Sequence, residues 1–218
     1  MRTVAVIARK GGSGKTTLAV HLALAGFLGR RHVLLADADS QRSAAEVLKP
    51  RGDYGPSVIE TTGRDLSALQ RQAVRDDVDL MVIDSAAGLE ESLSHAIVLA
   101  DLILLAVRPT FLDIASAVQS LQVTNRLSRS AMVVLSQAPV AREGVEPPSV
   151  KRTLEIFRQM RVPVAPAIIR ARSIYQTAME RGCAAQEIEP QGSASREMGV
   201  LWRFIEQTLY DPQLARTG

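Results

Sequence analysis

Short, uninterrupted apolar runs alternate along this chain with longer stretches in which apolar positions recur every three or four residues. The runs at residues 3–8, 32–37, 80–84, 102–107, 132–135 and 164–169 are rich in Val, Ile and Leu and are bounded by turn or charged residues. They lack the polar alternation of a half-exposed strand, which predicts parallel strands buried on both faces. Helical periodicity covers residues 16–28, closed by Gly29, and residues 65–75, with Leu66, Leu69 and Val74 on one side. It returns at 113–127, where Asp113 stands as the N-cap ahead of Ile114, Val118 and Leu121, and again at 173–182 and 193–209. Residues 49–57 and 139–148 collect Pro and Gly and read as loops, and 211–218 as a frayed tail. Strand–helix alternation with right-handed crossovers predicts an α/β fold, a doubly wound, mostly parallel sheet with helices on both faces. No repeat or break in composition divides the chain, so residues 1–218 are expected to form one domain.

Composition narrows the class. Hydrophobic residues make up 46% and charged residues 22%, which excludes disordered and collagen-like chains. One cysteine, Cys183, can form neither an internal disulfide nor a zinc site alone, and points to a reducing compartment. Met1-Arg2 leads straight into the first strand, so no secretory leader is expected, and no apolar run approaches the roughly 20 residues of a membrane span. The expected location is cytoplasmic. A net charge of +3 allows a polyanionic partner without demanding one. Of 26 basic residues only Lys10, Lys15, Lys49 and Lys151 are lysines, and two of them share one glycine-rich loop. That placement singles out a compact ammonium for the chemistry there.

The loop reads Lys10-Gly11-Gly12-Ser13-Gly14-Lys15-Thr16-Thr17, between the first strand and the first helix. Arg9 occupies the place of the first glycine in the pattern G-x-x-x-x-G-K-[ST], so the loop is a variant. Its glycines let backbone N–H groups turn inward around a polyphosphate, and the helix N-terminus adds its positive end. In this arrangement Lys15 bridges the β and γ phosphates and Thr16 ligates Mg²⁺. A bare connecting turn is the competing reading of the glycines. Two further strands end in acids, at Asp37 with Asp39 just beyond it, and at Asp84. Such carboxylates lie at the sheet edge where ligands of these folds bind, and a buried acid there needs a cation. Asp84 fits a carboxylate that holds Mg²⁺, against the plainer reading of helix caps or surface acids.

Lys10 at the start of the loop resembles the deviant Walker A signature of the ParA/MinD family of P-loop ATPases, and the resemblance spans nearly the whole chain. Asp37-Ala38-Asp39-Ser40-Gln41 is similar to the family's D-x-D-P-Q element, with Ser40 in place of proline, and Ser85-Ala86-Ala87-Gly88 to its switch stretch. The resemblance implies an ATP-sandwich homodimer in which Lys10 acts in trans on the partner's nucleotide. It also implies Asp39 positioning the attacking water, with Asp37 supporting it or the Mg²⁺ shell, and nucleotide contacts along residues 11–17. Arg108-Pro109-Thr110 continues the likeness and Leu112-Asp113 follows it; the resemblance implies that residues 108–113 face the dimer and the nucleotide, with Pro109 at the nucleotide. Ser136-Gln137 stand where an Asn-Arg or Thr-Arg pair usually approaches adenine, which leaves the base contacts open.

Among relatives, a nitrogenase iron protein needs cysteine pairs that are missing, and a tyrosine-kinase relative needs a tyrosine-rich tail. The stripe Met198, Leu201, Trp202, Ile205 and Leu209 is flanked by Glu197 and Glu206 and suits a core helix better than a membrane anchor. The small partition ATPases remain. They imply nonspecific DNA binding on the nucleoid, partition of a plasmid, chromosome or protein cargo, and stimulation by a ParB-like or other cargo-linked protein. Arg172 lies in a stretch similar to the family's R-x-x-Y-x-x-A, and with Arg152, Arg170, Lys151 and Arg158 is expected to form a salt-sensitive DNA face. A solvated arginine-rich surface is the plainer alternative. The competing functions are a MinD-like positioning or regulatory switch acting on a protein or membrane complex without DNA, and a metabolic ATP-dependent synthetase or kinase.

Overall fold

A computed structural model describes residues 1–88 and 90–211 of the chain. The first half runs β1 (Arg2–Ile7), α1 (Lys15–Leu28), β2 (Val33–Asp37), α2 (Ser43–Leu48), a tight 3-10 turn (Lys49–Tyr54), β3 (Ser57–Glu60), α3 (Leu66–Arg75) and β4 (Leu80–Asp84). It continues through α4 (Glu90–Leu99), β5 (Leu102–Val107), α5 (Phe111–Arg126) and β6 (Ala131–Leu135). The last part is helical: α6 (Pro148–Gln159), α7 (Ser173–Glu180), α8 (Ala185–Ile188) and α9 (Ser193–Tyr210).

The six strands lie in the order β3-β2-β4-β1-β5-β6, and every pairing is parallel. The side-chain alternation of the pleat divides the core between the two faces. Val4, Val6, Leu35, Val82 and Leu104 face α1 and α9, where Leu18, Leu22, Met198, Leu201 and Ile205 meet them. Ala5, Ile7, Leu34, Ile83 and Leu105 face Leu66, Leu93, Ile97, Leu121 and Phe157 of α3 to α6. The α9 stripe is therefore core, as its acidic flanks implied. No described helix is long and apolar enough to cross a membrane. From β1 the chain winds through β2, β3 and β4 on one side and then passes to β5 and β6 on the other. Ligands of such sheets collect outside the strand C-termini at that reversal. There β4 pairs Asp84 with Val6 of β1 and with Asp37 of β2, so two carboxylates end side by side next to the glycine loop.

The structure corrects three expectations. Residues 164–169 do not form a sheet strand. They touch β6 through a bridge at Val164, and a second bridge joins Arg170 to Ala138. Pro163 and Pro166 have no N–H to donate, so the apolar run follows the sheet edge without becoming part of it. The opposite edge is β3, which begins where a loop was expected to end. Asp113 is not the N-cap of α5: Thr110 is, and its hydroxyl accepts the Asp113 N–H at 3.3 Å. The expected tail lies outside the described residues after Asp211.

Candidate functional site

The loop between β1 and α1 is held open by its glycines. Gly12 and Gly14 sit at φ 72° and 84°, conformations that an L side chain rarely adopts. A Cβ on Gly14 would also lie 2.5 Å from Ser136 Oγ. Helix α1 begins at Lys15 with no side-chain cap and no acid in its first turn, so its N-terminus keeps its positive end for an anion.

Lys15 is 6% exposed. Its ammonium forms a short ion pair with Asp84 Oδ1 and lies 3.4 Å from Asp39 Oδ2. Asp84 is fully buried, and burial pushes its carboxyl above the usual carboxylate range while Lys15 and the Thr16 hydroxyl oppose the rise. Its second oxygen, Oδ2, has no hydrogen-bond partner, and neither has the buried Ser13 hydroxyl in the loop. Orphaned polar atoms at the mouth of an uncapped helix mark a site built for a polar ligand. Asp37 is equally buried, and both its oxygens accept backbone amides, Asp39 N–H at 3.2 Å and Ala45 N–H at 2.9 Å. It braces the Asp39 turn and the start of α2.

Lys10 points elsewhere. Its ammonium donates to Asp113 Oδ2 at 3.2 Å, and the same buried carboxylate accepts Arg108 Nε at 2.9 Å and the Thr110 hydroxyl at 2.5 Å. Burial by itself would raise the Asp113 carboxyl, but the bonds from Arg108, Thr110 and Lys10 together take it below the ordinary range.

Two cavities meet over the loop. The first, about 690 Å³, is lined by residues 10–17 together with Asp39, Arg42, the 61–63 turn, Ala86 and Gln137. The second, about 610 Å³ and more apolar, lies beyond Gly14 and Thr17 against Leu18, Ser136, Gln137, Tyr175 and Met198. A charged compartment joined to an apolar one matches the shape of a nucleoside polyphosphate. The loop residues fit a polyphosphate, and Thr16 and Asp84 fit a divalent cation beside it. No group of three His, Cys, Asp or Glu side chains able to hold a metal exists among the described residues, so such a cation would depend on phosphate oxygens as well.

The structure thus gathers Gly11, Gly12, Ser13, Gly14, Lys15, Thr16, Thr17, Asp39 and Asp84 at one site. Pro109 is not on the walls of either compartment; it lines a separate groove between α5 and α6. The expected DNA arginines differ in burial and pairing. Arg170 is 8% exposed, donating to Glu146 at 2.5 Å and to the Pro139 carbonyl at 2.9 Å. Arg172 donates twice to Glu197 Oε1, at 2.9 and 2.6 Å. Arg152 is exposed on α6 beside Lys151. The 61–63 turn escaped the sequence reading because β3 did. The cap of α5 was legible in Thr110-x-x-Asp113, an acid three residues after a Thr, but the hold of Asp113 on Lys10 was not.

Known proteins share this architecture. Over 218 aligned residues the chain is 29% identical to maintenance of carboxysome distribution protein A of Gloeobacter kilaueensis, covering 95% of this chain and 94% of that one. It is 28% identical to protein ParA of Rhizobium radiobacter over 178 residues, 70% of this chain and 80% of the relative. The crystal structure of the cell division ATPase MinD of Pyrococcus furiosus superposes with a TM-score of 0.77 at 20% identity, covering 94% of this chain and 98% of that one. The model of the CobQ/CobB/MinD/ParA nucleotide binding domain matches residues 4–182, and the chain belongs to that family.

Proposed function

We propose that this chain is an ATPase that dimerises around ATP, binds DNA without base reading, and positions or partitions a DNA or protein cargo, hydrolysis being stimulated by a cargo-linked partner. The observation that carries the reading is the buried Lys15 ammonium, paired with Asp84 and close to Asp39 at the uncapped start of α1. An ammonium neutralised by two acids can exchange one of them for phosphate oxygens as the nucleotide enters. Thr16 and Asp84 are the residues that would hold a magnesium ion, which would supply charge neutralisation beside the phosphates. In this reading Asp39 orients the attacking water, and Asp37 supports it by accepting the Asp39 and Ala45 amides. Similarity over 95% of this chain to a protein named for carboxysome distribution supports a positioning role.

One observation favours the alternative, a positioning switch without DNA. Arg170 and Arg172, two of the arginines expected at a DNA face, are committed to Glu146 and Glu197. The DNA reading then rests on Lys151, Arg152 and Arg158 of α6, all exposed. The test is retention of the Asp39→Ala protein on duplex DNA with and without ATP, between about 50 and 200 mM salt. ATP-dependent retention that weakens with salt and with Arg152→Glu supports DNA binding. Absence of retention at the low-salt end supports the switch. Arg172→Glu is the poorer probe because it sets a second carboxylate against Glu197.

A further inference from the structure

Arg108 has a position that the nucleotide pocket does not explain. Its Nη1 lies 3.7 Å from where a Cβ on Gly12 would stand, so the guanidinium packs against the glycine loop itself. Yet Arg108 is absent from the walls of its own phosphate cavity, although Lys10 lines it. Arg108 and Lys10 share one anchor: Asp113, 4% exposed, takes Arg108 Nε on Oδ1 and Lys10 Nζ on Oδ2. Two cations on one carboxylate leave a net positive charge at the outer rim of the loop. The next turn of chain exposes Phe111 and Leu112, at 79% and 62%. Large apolar side chains beside uncompensated charge are the composition of a surface that another molecule covers.

We infer that Arg108 is a second phosphate-directed cation, acting with Lys10 on the nucleotide held by a second copy of this chain, and that Asp113 positions both. The inference rests on the ATP-sandwich reading above. A planar guanidinium meets phosphate oxygens in pairs, where the lysine supplies a point charge. It packs against Gly12 without lining its own phosphate cavity, and in this scheme the oxygens it meets are those presented across a dimer. Charge developing on the transferred phosphoryl group is stabilised by such a cation without covalent chemistry. Asp113 touches no nucleotide in this scheme. It fixes the guanidinium plane through Nε and keeps Lys10 at the rim until a second protomer offers phosphate.

The test is steady-state hydrolysis measured up to saturating ATP, with ATP affinity and thermal melting measured on the same proteins. Arg108→Gln keeps an N–H for Asp113 but removes the charge. It should lower the hydrolysis rate on the order of 10²-fold while ATP affinity and melting stay near wild type. Arg108→Lys should recover part of that loss. Asp113→Asn should lower the rate with little change in KM, and Asp113→Glu should restore some of it, a pattern that a purely structural role would not produce. Mixing Arg108→Gln with Asp39→Ala then tests the geometry. In a mixed dimer the Arg108→Gln protomer keeps a working Asp39 and receives an intact Arg108 from its partner. About a quarter of the wild-type rate should return, because half of randomly mixed two-fold dimers are mixed and each has one competent site. Wild-type hydrolysis by Arg108→Gln, or no recovery on mixing, would overturn the inference and leave the ATPase reading standing. ATP binding by Lys15→Ala as tight as wild type would instead bring down that reading, and this inference with it.

Discussion

His21 offers a quantitative check on how the phosphate-loop helix is tied to the rest of the protein. It sits on α1, with Nδ1 donating to the Thr17 carbonyl at 2.8 Å and Nε2 accepting the Ala185 N–H at 3.2 Å. Its ring meets Tyr175 edge-on, with centroids 5.1 Å apart, so one side chain joins α1 to α7 and α8. Burial lowers its pKa from 6.5 to about 4, against smaller opposing effects from the Thr17 hydrogen bond and the Glu187 charge. The unfolded chain then binds a proton between those two values that the folded chain does not. Stability contributed by this group is complete above the unfolded value and is lost as the pH falls toward the folded one. Between about pH 7 and pH 5 the loss is about 2 kcal/mol, approaching about 3 kcal/mol in stronger acid. Urea unfolding of the wild type and of His21→Gln at several pH values isolates this contribution as the difference between the two curves. Wild type should lose about 2 kcal/mol more than the variant over that interval. Parallel pH dependence in the two proteins would show that the imidazole is not held neutral, and would refute the coupling of α1 to α8.

Two further substitutions separate the roles of the loop residues. Gly14→Ala puts a Cβ at φ 84° and 2.5 Å from Ser136 Oγ, so it should destabilise by about 1–3 kcal/mol and weaken ATP binding at least about tenfold, read by melting and by nucleotide titration. A variant that binds ATP normally would contradict the close approach of β6 to the loop. Asp37→Asn removes an acceptor from the backbone of the Asp39 turn or of α2. The expected cost is about 1 kcal/mol of stability, with ATP–magnesium affinity within about threefold of wild type. Loss of magnesium dependence in that protein would place Asp37 in the metal shell instead of the brace.

What was legible in the sequence follows from how local each signal is. The buried parallel strands announce themselves because both faces must be apolar, and the glycine loop because phosphate binding needs one backbone shape. β3 was missed because it is only four residues long, follows Pro56, and as an edge strand leaves Ile59 42% exposed. Residues 164–169 misled for the opposite reason, since Val and Ile carry strand propensity while Pro166 cannot enter a ladder. At the candidate site, Lys15, Thr16 and Asp84 were picked out by type and spacing and Asp39 by resemblance, and the structure brings Lys15 beside Asp84 and Asp39. The partners of Lys10 and Arg172 could not be picked out, since Asp113 lies 103 residues from Lys10 and Glu197 lies 25 from Arg172. Contacts of that range are set by the topology. They decide whether a motif lysine points into its own pocket or rests at the rim, and whether a basic residue is available to DNA.

In the proposed function a nucleotide joins two copies of this chain through Lys10. Light scattering of Asp39→Ala, with and without ATP, measures it most directly, with the double variant Lys10→Ala/Asp39→Ala alongside. The mass should rise twofold on adding ATP, and the rise should be abolished in the double variant although that protein still binds the nucleotide. An unchanged mass for Asp39→Ala with ATP bound, or a dimer that survives the loss of Lys10, would contradict it.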